Sequence, residues 1–393
     1  MSLSHQRQVK QKHAKPTNRS LNKIVAQAGE QLVFADECIK KTLATDKKRD
    51  EFTPVTIKPD GSIRLEGPRD WRSGFFAGEL WLMYSLTKNP KWRRMAEEYT
   101  RPIESVKNWR GTHDLGFMVN NSWGKQFALT GDTAARSVVI AASKSLISRF
   151  NPRVGCIRSW DFNRDKWHFP VIIDNMMNLE MLFDATRLTG DSTYWNVAVS
   201  HANTTMKNHF RSNRSSYHVI DYDPETGAVR HRNTSQGYND DSYWSRGQAW
   251  GLYGFTMCYR YTRDSRYLDH ARHIFAFLRS LDNVPDDGIF FWDQKDPKIP
   301  NAPRDASAAA ITASALYELM HYVSGDEAVA CRSYADKIMN SLTKHYRAKV
   351  GTSQGFLLLH STGHLPANSE VDVPLNYADY YYLEALTRSS KSS

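Results

Sequence analysis

The chain has 393 residues, 40% hydrophobic and 12% aromatic, which is enough apolar surface for one large core or two average domains. Its net charge of +10 looks like the mark of a nucleic-acid binder, but six of the surplus charges (Arg7, Lys10, Lys12, Lys15, Arg19 and Lys23) fall in residues 1–23, which contain no acid, leaving +4 for the rest. No nucleic-acid partner is therefore expected, and no membrane partner either, because no window reaches the roughly eighteen uninterrupted apolar residues of a span.

Residues 1–23 are polar, basic and without helical periodicity, which predicts a disordered tail ahead of a single domain over 24–393. The start lacks the apolar stretch of about 7–15 residues found in a secretory leader, so a cytoplasmic protein and a bacterial periplasmic one whose leader has been removed both fit. Cys38, Cys156, Cys258 and Cys331 lie far apart with no C-x-x-C or Cys/His ligand spacing, which predicts free thiols and no structural metal.

Apolar periodicity then predicts twelve helices, near 22–45, 72–86, 91–106, 115–130, 132–149, 171–189, 191–209, 242–262, 264–281, 305–324, 326–346 and 376–388. Five of the joints carry a short turn signal: KNPKW (88–92), TGDTA (130–134), TGDST (189–193), TRDSR (262–266) and SGDEA (324–328). Each sets a turn residue before an Asp or Pro that caps or begins the next helix, the corner of a helical hairpin. The connections before 72, 115, 171, 242, 305 and 376 are instead long, bearing glycine and proline or strand-like runs such as GAVRHRNTSQGYND from Gly227. Up-down alternation puts all the long connections at one end. Six hairpins closing in a ring make an all-α, (α/α)6 double-layered barrel, the helices after the long loops forming the inner layer. An open helical solenoid is the alternative. The inner helices aim their N-termini at one shared mouth, a favourable place for an anion.

The richest stretch for chemistry is DSYWSRGQAWGLYG (241–254), which puts Asp, Arg, Gln and aromatics where a plain core helix would carry Leu and Ala. Trp244 and Trp250 offer flat faces for a pyranose ring, and Arg246 a planar fork for a carboxylate. Read without other information, the same residues fit an amphipathic helix with core tryptophans and a solvated arginine.

Six segments resemble, in order, the unsaturated glucuronyl hydrolases, enzymes that finish the breakdown of lyase-cut glycosaminoglycans: WRSGFFAGELWLMY (71–84), THDLGFM (112–118), IIDNMMNLEMLF (172–183), SRGQAWGLYGF (245–255), DASAAAITASALYEL (305–319) and VDVPLNYADYYYLEAL (371–386). The resemblance implies a saccharide substrate whose non-reducing uronic acid carries a C4=C5 double bond, and a reaction that uses neither metal nor organic cofactor. Protonation at C4 gives oxocarbenium character at C5, water adds there, and the hemiketal opens to expel the neighbouring sugar. The resemblance makes Asp174 the acid/base, and its apolar neighbours in IIDNMMN should raise its pKa; a helix cap is the bland alternative. Asp114 matches the family's second carboxylate, His113 a supporting residue, and Arg246 and Trp250 its contacts to the unsaturated sugar. Trp71 is expected as a stacking wall, Trp81 as core and Asp305 as a cap.

In the loop HSTGHLP (360–366), Ser361 and Thr362 match hydroxyls with which the family can hold a sulfate, but His364 and Leu365 stand where a lysine is expected. The related unsaturated rhamnogalacturonyl hydrolases and a non-catalytic carbohydrate-binding barrel are the rival readings; RGQAW favours the glucuronyl family and the Asp114/Asp174 pair disfavours a mere binder. A monomer or weak dimer is expected.

Overall fold

The computed structural model describes residues 18–45 and 50–391. Twelve α-helices follow in order: α1 (Asn18–Thr45), α2 (Ser73–Thr87), α3 (Pro90–Thr100), α4 (Lys125–Thr130), α5 (Thr133–Ile147), α6 (Leu179–Thr189), α7 (Ser192–Asn208), α8 (Ser245–Thr262), α9 (Ser265–Ser280), α10 (Ala306–Leu319), α11 (Gly325–Ser341) and α12 (Asn376–Lys391). The even-numbered helices form the inner ring, and α12 packs on both α10 and α2, so the ring closes as a barrel rather than running on as a solenoid. Burial separates the layers: all fourteen residues of α10 are buried, whereas α3 buries only Trp92, Ala96, Tyr99 and Thr100. The small residues of ASAAAITASAL let α10 lie close to its neighbours α8 and α12.

Four of the five turn signals share one device. Thr87, Thr130, Thr189 and Thr262 end their helices by donating to the carbonyl four residues back, at 2.6–2.8 Å. The same hydroxyls accept the N–H of the next helix cap (Asn89, Asp132, Asp191 and Asp264) at 3.1–3.3 Å. The residue between takes a left-handed conformation, with Gly at 131 and 190 and Lys or Arg at 88 and 263. The cap side chain then accepts the N–H two residues on. The fifth joint differs: Ser324 makes no side-chain cap bond, and Asp326 and Glu327 in the first turn of α11 face the helix dipole instead.

Of the expected tail, 1–17 lies outside the described residues, while 18–23 belong to α1 and are not an irregular leader. Leu21 begins the apolar spacing that continues through Val25, Ala28 and Leu32 into the core. The predicted free thiols are seen: Cys156, Cys258 and Cys331 are buried and Cys38 half-buried, all unpaired. Among the described residues no helix is long and apolar enough to cross a membrane.

The long loops add β-structure, chiefly a three-stranded antiparallel ribbon of β5 (Pro170–Ile172), β6 (Val219–Tyr222) and β7 (Val229–Asn233), after the small pairs β1 (Thr53–Ile57) with β2 (Ile63–Glu66) and β3 (Phe150–Asn151) with β4 (Cys156–Ile157). That ribbon stands at the mouth of the barrel and positions the candidate site.

Candidate active site

A cavity of about 650 Å³ opens at the N-terminal ends of the inner helices. That is the size range of small-molecule sites. Its wall comes from the loops before α2, α4, α6 and α8, from the loop before α12 and from the head of α8.

Asp174 follows β5, in a 3-10 turn, Ile173–Asn178, that leads into α6. The antiparallel register pairs Ile172 with Val219, and the next N–H, from Ile173, donates to the His218 carbonyl at 3.1 Å. Strand register thus places His218 beside Asp174, with its Nε2 3.7 Å from Asp174 Oδ1. His218 Nδ1 accepts the N–H groups of Ser235 and Gln236 at 3.0 and 3.1 Å, so the ring proton sits on Nε2 and points at the carboxyl. Asp174 Oδ1 and His218 Nε2 are both buried, and neither has a hydrogen-bond partner among the described residues. The imidazole packs against Trp244 with centroids 4.5 Å apart.

Asp174 is 8% exposed. Burial is the main cause that raises its pKa to about 6; the charges of Arg246 and His113 pull it down and Asp114 pushes it up. Burial also holds His218 well below the ordinary imidazole value, so it stays neutral where Asp174 titrates. The expectation of a carboxyl raised by its surroundings holds, and Asp174 is not the cap of its turn, because that position is Ile172.

Asp114 lines the same cavity. Its Oδ1 lies 3.1 Å from His113 Nε2 and its Oδ2 accepts from Thr112 Oγ1 at 3.0 Å. It stands just ahead of a π-helical stretch, Gly116–Gly124, that runs into α4. This wide winding has local causes: Asn178 Oδ1 takes the Phe117 N–H at 3.0 Å, and a Cβ at Gly116 would come within 2.6 Å of Asn178 Cα. Asp114 and Asp174 are thus tied together through Asn178. Trp71 also lines the cavity, packed on Tyr377 at 4.9 Å, and Trp81 is core as expected, its indole donating to Thr100.

Three expected contacts, Trp250, Ser361 and Thr362, lie off the cavity wall, and a fourth, Arg246, is on it but partly engaged by the protein. Trp250 is 0% exposed, held between Phe117 and Tyr381 in the barrel core with no face on the cavity. Arg246 does line the cavity, with three of its five N–H donors held by the protein: Nη1 donates to Asp305 Oδ2 (3.0 Å) and the Thr362 carbonyl (2.7 Å), and Nη2 to the Gly363 carbonyl (2.7 Å). It acts on the site through its charge and by anchoring the 361–363 loop. Ser361 and Thr362 are buried; the Thr362 hydroxyl donates to the Arg304 carbonyl, so the pair is loop framework, and His364 is the member of that loop that reaches the cavity. Asp305 caps α10 as expected, accepting the Ser307 N–H, and also pairs with Arg246.

The sequence reading missed His218 and the aromatic rim, where Trp160 stacks on Phe162 at 5.0 Å and Trp167 packs edge-on to Trp160. A signal was there. The connections between α5 and α6 and between α7 and α8 are too long to be structureless in a compact domain, and SYHVIDY (216–222) carries strand-forming residues at their centre.

Comparison with known proteins agrees with this geometry. Unsaturated glucuronyl hydrolase from Formosa agariphila is 48% identical over 322 residues, 81% of this chain and 80% of the relative. The crystal structure of an unsaturated glucuronyl hydrolase specific for heparin superposes with a TM-score of 0.90 at 43% identity, covering 96% of this chain and 98% of that one. A variant of the Streptococcus agalactiae unsaturated glucuronyl hydrolase complexed with dGlcA-GalNAc6S superposes with a TM-score of 0.80 at 28% identity, covering 97% of this chain and 94% of that one. The sequence profile of Glycosyl Hydrolase Family 88 matches residues 45–384, so the resemblance carried by the six motifs is borne out and the chain belongs to that family.

Proposed function

We infer that this protein is an unsaturated glucuronyl hydrolase, releasing the 4,5-unsaturated uronic acid from the non-reducing end of lyase-generated glycosaminoglycan fragments. The relatives support the activity and substrate class. The observation that carries the mechanism is Asp174, a carboxyl held near neutrality in a cavity, with an oxygen that no protein group engages.

In this reading Asp174 donates its proton to C4 of the enol ether. The charge that develops at C5 is positive, and the Asp114 carboxylate helps to stabilise it. Water adds at C5, its proton passing to the now ionised Asp174, which is thereby reset; the hemiketal opens and the neighbouring sugar leaves. Because the water attacks C5 and not an anomeric carbon, the usual relation between carboxylate spacing and inversion or retention does not govern the outcome. His218 Nε2–H and Trp71 hold the ring against Asp174. The substrate carboxylate is met by the inner-helix N-termini and by Arg246, which lines the cavity and keeps two N–H donors not used by the described residues. A monomer or weak dimer is the form proposed.

The test is a panel of unsaturated disaccharides from chondroitin, hyaluronan, heparin and pectin, followed by loss of the ultraviolet absorbance of the conjugated double bond. Consumption of glycosaminoglycan-derived members supports the reading. Turnover of the pectin-derived member alone would point to the rhamnogalacturonyl activity, and turnover of none would remove the enzyme.

A further inference from the structure

The cavity runs from Asp174 at its base to an exposed rim, where Phe162 is 58% exposed and Arg69 stands in solvent. The unsaturated ring must reach Asp174, so the rim is left to the sugar that departs. Two arginines line this cavity, and they are in opposite states. Arg246 is buried and ion-paired, with three of its five N–H donors held by Asp305 and the 362–363 carbonyls. Arg69 is exposed, and among the described residues it has no hydrogen-bond or carboxylate partner; its guanidinium lies over the Trp109 ring, 5.6 Å from the centroid. The acid beside it cannot serve as counter-ion, because both oxygens of Asp70 are taken by Arg72, at 2.8 and 2.9 Å. Arg72 is also paired with Glu370, so the backbone carrying Arg69 is tied to the loop before α12. Trp109 is seated against Gly111, where a Cβ would come within 2.5 Å of the indole nitrogen, and offers a fixed plate beneath the guanidinium.

We propose that Arg69 is a specificity-determining residue that reads a sulfate ester on the leaving sugar. A planar guanidinium with free donors, pre-positioned over an aromatic face, matches the oxygens of a sulfate and has little to offer a neutral hydroxyl. The location follows from elimination as well. The hydroxyls of Ser361 and Thr362 are buried and their loop has no lysine, so that loop presents no cation to a sulfate.

This inference rests on the proposed function and is tested within it. The probes are pairs of unsaturated disaccharides identical except for one sulfate on the leaving sugar, with 6-O-sulfated and N-sulfated members to tell the two attachment points apart. The unaltered protein is expected to have a lower KM for at least one sulfated member than for its unsulfated twin. In Arg69→Gln the sulfated-to-unsulfated ratio of kcat/KM should fall about five- to tenfold, through KM, with Arg69→Lys in between. The preference should also shrink as salt is raised past the screening range. A ratio unchanged in Arg69→Gln, or an unaltered protein that rejects every sulfated member while consuming the twins, would overturn the assignment of Arg69 and leave the reaction standing. Failure to consume either twin would remove both.

Discussion

Asp174 and Glu180 lie six residues apart at the head of one inner helix, and their surroundings drive them in opposite directions. Around Asp174 the protein leaves charge uncompensated: Asp174 Oδ1, His218 Nε2 and His113 Nδ1 are buried without a partner, and the carboxyl is pushed up to about 6. Toward the other end of the barrel Glu180, Glu318 and Glu384 are each answered by a cation, while Asp184 beside them is held only by Tyr261 and is likewise pushed up to about 6. Glu180 accepts from Arg260 at 2.7 Å, Arg260 donates to Glu318 at 2.8 Å, Arg388 pairs with Glu318 at 2.9 Å, and Glu384 accepts from Tyr253 and Ser314 at 2.8 and 2.7 Å. Burial would raise Glu180 and Glu384 too, but Arg260 overrides it for the first, and Arg388 with Lys125 brings the second down to about 2. The same fold thus builds a structural charge network and an unpaired carboxyl from like side chains, and what sets Asp174 apart from other raised acids such as Asp184 is its place on the cavity at the barrel mouth.

The comparison breaks most sharply at Asp174. Asp174→Asn should cut turnover by roughly 10² to 10⁴ while substrate still binds, because the amide keeps the shape and has no proton to give. The same change should stabilise the fold. A carboxyl whose pKa is raised from 3.8 to about 6 binds its proton more tightly when folded, so its contribution is present below pH 3.8 and lost as pH rises through 6. At pH 8 the variant should therefore be the more stable by up to about 3 kcal/mol, read by denaturant unfolding. With the protonated acid as the active form, kcat/KM of the unaltered protein should fall about tenfold per pH unit above 6. Turnover near normal in Asp174→Asn would move the role to Asp114.

Arg246 belongs to both regions in kind: it lines the site, yet it is paired like the far-end network. Arg246→Ala should destabilise by about 3–5 kcal/mol in thermal unfolding, because it leaves Asp305 buried without its partner. Asp305→Asn in the same chain should recover part of that loss. A variant with unchanged stability and only a raised KM would restore the substrate clamp expected from the sequence.

Glu384→Gln is the mirror of the first experiment. The lowered pKa of Glu384 gives stability that is present above 4.5 and lost as pH falls through about 2. The variant should lose about 2–3 kcal/mol at neutral pH, lose less in acid, and keep kcat within about threefold. A large fall in kcat in a folded protein would mean the two regions are coupled.

How much of this the sequence discloses follows from the range of the forces involved. Helix periodicity and caps act over a few residues, so twelve helical segments and the hairpin corners were legible, although 171–178 turned out to be strand and 3-10 turn ahead of α6, and one-sided long loops together with the family resemblance favoured the closed ring. Asp174 and Asp114 were legible because each is an isolated acid in an apolar or turn setting within a matched motif. Trp250, Ser361 and Thr362 were misplaced, and the partners of Arg246 went unseen, because residue type tells what a side chain can bind and not what already holds it: Asp305 lies 59 residues from Arg246 in the chain. His218 escaped notice because its place depends on strand register in a ribbon spanning two loops, a pairing that no local pattern announces.

The central claim is that Asp174 delivers a solvent-exchangeable proton to C4 and that water then adds at C5. Running the reaction in heavy water tests both at once. The account predicts one deuterium at C4 of the released uronic product, in a single configuration, because one residue held against one face of the ring supplies it. A product without deuterium at C4 would contradict the hydration course and the roles given to both aspartates.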